Sequence, residues 1–184
     1  MNEELSFILE STEENMHNAI KHLEKQLLNI RAGKASPAML GSVMVEYYGS
    51  MTPLTQVANI NTPDARTLTI QPFEKSSIQN IEKGIMYANL GFNPMNNGES
   101  VIISVPPLTE ERRKELAKQA KAEAEEAKIG IRNDRKAANN EIKKLDLSED
   151  EAKIAEENIQ KLTDTHIRKV DAIFEVKERE IMTV

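Results

Sequence analysis

Residues 106–145 read PPLTEERRKELAKQAKAEAEEAKIGIRNDRKAANNEIKKL, and this stretch decides the fold. After Pro106-Pro107 it contains no further proline and a single glycine, Gly130. In a helix interior proline costs ~3 kcal/mol and glycine ~1 kcal/mol, so a long run almost free of both reads as helix. The two prolines fix φ twice just outside it. Thr109 can cap the first turn, where Glu110 and Glu111 suit the helix macrodipole. The spacing predicts one helix from Glu110 to about Leu145, roughly 55 Å long at about 1.5 Å per residue. Leu116, Ala120, Ala127, Ile131, Ala138, Ile142 and Leu145 form its core-facing stripe.

The same signal extends on both sides. Ser148 and Glu151 have capping-box spacing and predict a restart. A last helix follows, with Ala152, Ala155, Ile159, Leu162, Val170 and Ile173 on its apolar face. Near the N-terminus, Leu5, Ile8, Leu9, Met16, Ala19, Ile20, Leu23, Leu27 and Ile30 return at helical spacing. All seven prolines and six of the seven glycines lie between Gly33 and Pro107. The pattern predicts an α+β protein: a long three-helix bundle made of residues 1–30 and 106–184, interrupted by an inserted small β/α/β domain, 31–105. Within the insert, residues 43–48, 67–70 and 101–105 read as strands. Ser77–Met86 reads as a helix closed by Gly91, with Pro94 beyond.

The chain has 184 residues, 29% charged and 4% aromatic, with no cysteine or tryptophan. Disulfide scaffolds, thiol nucleophiles and cysteine-based zinc sites are thereby excluded. Met1-Asn2-Glu3-Glu4-Leu5 is acidic rather than basic-then-apolar, and no apolar run approaches the ~18 residues of a membrane span. A soluble, cytoplasmic protein is expected. Net charge is −4 over residues 1–30, zero over 31–109, +3 over 110–145 and −5 over 146–184. Only the long helix is basic. At about 100° per residue, Lys114, Lys118, Lys121, Lys128, Arg132, Arg135 and Lys143 fall in one sector, joined by Glu110 and Glu125. Glu123, Glu126, Asp134 and Glu141 lie beyond the core stripe. Such a continuous stripe suits a polyanion; a plain solvated face is the competing reading.

Catalytic motifs are missing. Gly33-Lys34-Ala35-Ser36 fails as a phosphate loop, because Ala35 follows the lysine and Leu28 stands where the first glycine belongs. His17, His22 and His166 share no metal-ligand spacing, and His166 lies near the apolar face of the last helix. Glu13-Glu14 and Glu156-Glu157 read as solvated faces. No enzyme and no metal site is expected. Tyr47-Tyr48 sit in a strand, where one ring packs and the other faces outward, or one stacks on a base. Gly130 marks either the close approach of a partner or simple tolerance.

Several blocks in order resemble the bacterial ribosome recycling factor family. They are Ile30-Arg31-Ala32-Gly33-Lys34-Ala35-Ser36-Pro37, Val45-Glu46-Tyr47-Tyr48-Gly49 and Asp64-Ala65-Arg66-Thr67-Leu68. Further blocks are Leu90-Gly91-Phe92-Asn93-Pro94, residues 106–114 and Ile131-Arg132-Asn133-Asp134-Arg135. The resemblance spans essentially the whole chain. It implies a near-L-shaped, tRNA-like outline with a two-strand hinge at Ile30-Arg31-Ala32 and Ser104-Val105-Pro106.

It also implies a job. After peptide release the factor binds the post-termination ribosome through the large subunit's 23S ribosomal RNA. With elongation factor G and GTP it then splits the subunits, freeing mRNA and tRNA for another round. The nucleotide belongs to that partner, so no cofactor of its own is implied, and a monomer is expected. The family's RNA-contacting arginines fall on Arg132 and Arg135, with Lys118, Lys121 and Lys128 along the stripe and Arg31 and Lys34 near the hinge. This chain departs from the common pattern in Lys136-Ala137, where Arg-Asp usually follows, and in a short 144–148 link. The competing class is a helical scaffold or cochaperone, which would carry a second apolar stripe; the sector opposite the core stripe carries charge instead.

Overall fold

The computed structural model describes residues 2–30 and 33–183. It divides into two compact units, Met1–Ala32 with Glu110–Val184, and Gly33–Thr109. The first is all helix: α1 (Glu3–Leu28), α3 (Glu110–Lys144) and α4 (Glu149–Met182). The second holds β1 (Met44–Tyr47), β2 (Ser50–Pro53), β3 (Ala58–Asp64), β4 (Thr67–Pro72), α2 (Ile78–Tyr87), β5 (Pro94–Asn96) and β6 (Val101–Ser104).

In the helical unit the stripes face one another. Ile8, Met16, Ile20, Leu23 and Leu27 of α1 are buried, as are Leu116, Ala120, Ala124, Ile131, Ala138 and Ile142 of α3. Ala124 joins the expected stripe, whereas Ala127 and Leu145 are only half-buried. Alanines at these positions let the α3 backbone lie close to its neighbours, so this core is narrow. On α4, Thr163 and His166 are buried beside Ala155, Ile159 and Val170. Each turns its polar atom back onto its own helix: Thr163 Oγ1 donates to the Ile159 carbonyl at 2.8 Å, and His166 Nδ1 lies 2.8 Å from the Leu162 oxygen. A carbonyl only accepts, so the imidazole proton sits on Nδ1. His166 is a packed core residue.

The α3–α4 turn follows its capping chemistry. Ser148 Oγ accepts from the Glu151 N–H at 3.2 Å, and the Glu151 carboxylate accepts from the Ser148 N–H at 3.1 Å. Leu145 and Leu147 pack onto Ile8, Ala138, Ile142, Ala155 and Ile159 beneath it. Replacing Ser148 by Ala is expected to destabilise the helical unit by about 1 kcal/mol in urea unfolding, the usual worth of an N-cap.

The other unit contains an antiparallel sheet of order β3-β4-β6-β5 and a separate β1-β2 hairpin. Leu68 and Ile70 of β4 and Val101 and Ile103 of β6 pack with Val45 of β1 and with Ile81 and Ile85 of α2. Three strands go beyond the expected set: β2, β3 and β5. Helix α2 ends at Tyr87 with Ala88 as its cap, and Asn89 takes the first left-handed conformation (φ 52°), so Gly91 is not the stop.

At the hairpin turn Tyr48 (φ 48°) and Gly49 (φ 80°) are both left-handed, as a two-residue turn matching strand twist requires. Tyr47 packs against the core and Tyr48 is exposed, their rings edge-to-face with centroids 4.5 Å apart. Both phenols donate to one carboxylate: Tyr47 Oη to Glu74 Oε1 at 3.0 Å, and Tyr48 Oη to Glu74 Oε2 at 2.7 Å. Donation to Glu74 raises both phenol pKa values above 10.0. The folded state then holds these protons more tightly, so their contribution is complete below about pH 10 and fades as pH rises past it. Alkaline titration by tyrosinate absorbance is expected to show both rings ionising late, and earlier in Glu74→Ala.

Candidate nucleic-acid interface

Helix α3 carries the basic residues, and α4 braces two of them. Lys118, Lys121 and Arg132 are exposed. Arg132 makes no hydrogen bond or ion pair with any described residue, which leaves its planar fork open to a bidentate oxyanion. Arg135 is half-buried and donates from Nη1 to Gln160 Oε1 of α4 at 3.1 Å; Gln160 in turn donates to Asp164 at 2.9 Å. The partner is a neutral amide, so the guanidinium keeps its charge while its direction is set.

Lys128 is placed differently. Its ammonium lies 2.5 Å from Asp171 of α4 and 3.7 Å from Glu125, with the side chain 17% exposed. Its charge is spent between helices. Lys114 pairs with Glu110 at 3.4 Å, an exposed contact of small worth. The structure therefore brings Lys118, Lys121, Arg132 and Arg135 together on one side of α3 and ties Lys128 into the α3–α4 contact.

Of the remaining sequence candidates, Lys34 is exposed in the Gly33–Thr109 unit. Arg31 and Ala32 lie outside the described residues. Ile30 is buried and donates its N–H to the Leu27 carbonyl. Ser104 ends β6, and Val105 is buried with its N–H on the Arg66 carbonyl at 2.7 Å. Gln160, Asp164 and Asp171 were not singled out from sequence. Their i,i+4 spacing from Gln160 to Asp164 was a signal, but their pairing with α3 depends on the register of two helices.

Among the described residues no cluster of His, Asp or Glu could hold a metal ion, and no helix is long and apolar enough to cross a membrane. A surface of separated cations on a rigid helix binds phosphates by position and charge, without reading bases.

Comparison with known proteins gives a consistent picture. A family model described as Ribosome recycling factor matches residues 23–182. A ribosome-recycling factor from Christiangramia forsetii is 72% identical over 182 residues, covering 99% of this chain and 100% of that one. Among solved structures, a solution structure of the ribosome recycling factor covers both chains fully at 38% identity, with a TM-score of 0.73. A second is described as models for the T. thermophilus ribosome recycling factor and the E. coli elongation factor G bound to the E. coli post-termination complex. That chain is 44% identical, with 97% of this chain and 99% of that one covered and a TM-score of 0.59.

Proposed function

The chain belongs to the ribosome recycling factor family of non-enzymatic translation factors, and from that premise we propose that α3 docks it onto the 23S ribosomal RNA of the large subunit. The observation that carries this reading is the open guanidinium of Arg132 beside the braced Arg135, on the only basic segment of an acidic chain. Lys118 and Lys121 extend the positive surface along the same helix. Phosphate contacts of this kind set position and make affinity fall steeply with salt.

Once docked, the factor works with elongation factor G and GTP to split the post-termination ribosome in the cytoplasm. The nucleotide is the partner's, since the Gly33–Ser36 segment lacks the phosphate-loop pattern, and this chain uses no cofactor and acts as a monomer. The crossings at 30–32 and 104–106 form the hinge. Support for the partner comes from the related factor described together with elongation factor G.

The test is to mix the protein with post-termination ribosomes, elongation factor G and GTP and follow light scattering. Scattering is expected to fall only when all components are present. Unchanged scattering in the complete mixture would overturn the recycling reading.

A further inference from the structure

Helix α3 has a second face, opposite in charge to the stripe, and it opens as a groove against α1. The groove holds about 590 Å³ and lies within the helical unit. Apolar surface from Ala19, Ala127 and the exposed Ile129 lies beside the carboxylates of Glu123, Glu126 and Asp134. Among the described residues no lysine or arginine lines it, and its one basic side chain is His22 of α1.

Three features of these residues point outward. On the stripe side of α3 both acids are paired, Glu110 with Lys114 and Glu125 with Lys128. Glu123, Glu126 and Asp134 have no ion-pair partner among the described residues. Gly130 lies in the groove, and a Cβ built there meets nothing within 4 Å. Glycine weakens a helix, and nothing inside the bundle requires it here. Burial pushes the Asp134 carboxyl above its ordinary pKa, a loss that a neighbouring cation would restore.

We propose that this groove docks a basic segment of another protein. Its Lys or Arg stems lie on Ile129, Ala127 and Ala19, its cationic heads meet Glu123, Glu126 and Asp134, and the bare Gly130 lets its backbone approach α3. Long cationic side chains have this amphipathic form, an apolar stem and a charged tip. Three unpaired carboxylates repel a polyanion, so RNA is excluded from this side. The inference goes beyond the reading above, which uses the opposite face of the helix.

The probe is a short fluorescein-labelled peptide of alternating Arg and Ala, titrated into the full-length protein by anisotropy, with backbone amide shifts mapped by NMR. Gly130→Leu leaves the charge unchanged and fills the groove; it is expected to weaken binding about tenfold, the scale of one lost charged contact. Glu123→Gln/Glu126→Gln/Asp134→Asn is expected to do the same. Glu156→Gln/Glu157→Gln/Glu178→Gln removes equal charge from α4 and is expected to leave affinity within about twofold, as exposed distant charges are screened. The proposal is overturned if Gly130→Leu binds like the parent, if the α4 control loses as much as the groove variant, or if the shifted amides lie off α1 and α3. It is also overturned if a labelled RNA hairpin binds the parent and is released by Gly130→Leu. Subunit splitting is not the readout, so failure here leaves the recycling reading standing.

Discussion

Replacing Arg132 and Arg135 together by alanine is expected to weaken large-subunit binding on the order of a hundredfold. A hydrogen bond to a charged group contributes about 1.5–3 kcal/mol, so two lost phosphate contacts reach at least that scale. The log-affinity against log-salt plot should also become shallower by about two, one for each phosphate no longer neutralised. Lysine at both positions separates charge from geometry. It keeps the salt slope, but loses the bidentate fork and the Arg135–Gln160 contact, so affinity should fall by less. The fold is expected to survive either change, since Arg132 is exposed and Arg135 makes one polar contact with a neutral partner.

The second large effect is a reversal of sign at two helical glycines. At Gly130 an added Cβ meets nothing within 4 Å, so Gly130→Ala should stabilise by about 0.5–1 kcal/mol. At Gly84 in α2 the same Cβ would lie 2.5 Å from the Met44 carbonyl oxygen and 3.4 Å from Val45 Cγ2. Helix α2 must then lift off β1, because the obstacle is backbone. Gly84→Ala should therefore destabilise by about 1–3 kcal/mol despite its better helix propensity. At about 2–4 °C per kcal/mol for a chain of this size, thermal melts should separate the two variants clearly. A rise in melting temperature for Gly84→Ala would contradict the close packing of α2 on β1.

What the sequence made legible follows from where information is local. Helix α3 could be read from its own residues, because breakers, caps and period all lie within it. The Ser148–Glu151 box formed as its spacing required. Strands β4 and β6 were readable because they are central: Leu68, Ile70, Val101 and Ile103 alternate into a core. The strands that sequence reading missed are at edges. β3 (ANINTPD) buries only Ala58 and half-buries Ile60 among turn-forming residues, and β5 starts with Pro94, which an edge strand tolerates. β2 has only β1 beside it and buries no side chain. Such strands exist because a neighbour supplies hydrogen bonds, which their own pattern does not announce.

The candidate site divides in the same way. The basic sector of α3 was visible as a helical period. The use of each charge was not, because Lys128 meets Asp171 and Arg135 meets Gln160 across a helix pair whose register is set by the core. The acids beyond the core stripe were also visible, but their grouping with Ala19 around one groove required α1 in place.

The most direct measurement is the rate of subunit splitting by light scattering, titrated with the parent protein and with the Arg132→Ala/Arg135→Ala variant at fixed elongation factor G and GTP. If α3 docks the factor and the motor does the work, the variant should need on the order of a hundredfold more protein for half-maximal splitting, yet reach a similar maximal rate. A half-saturating concentration unchanged from the parent's would contradict the role assigned to α3.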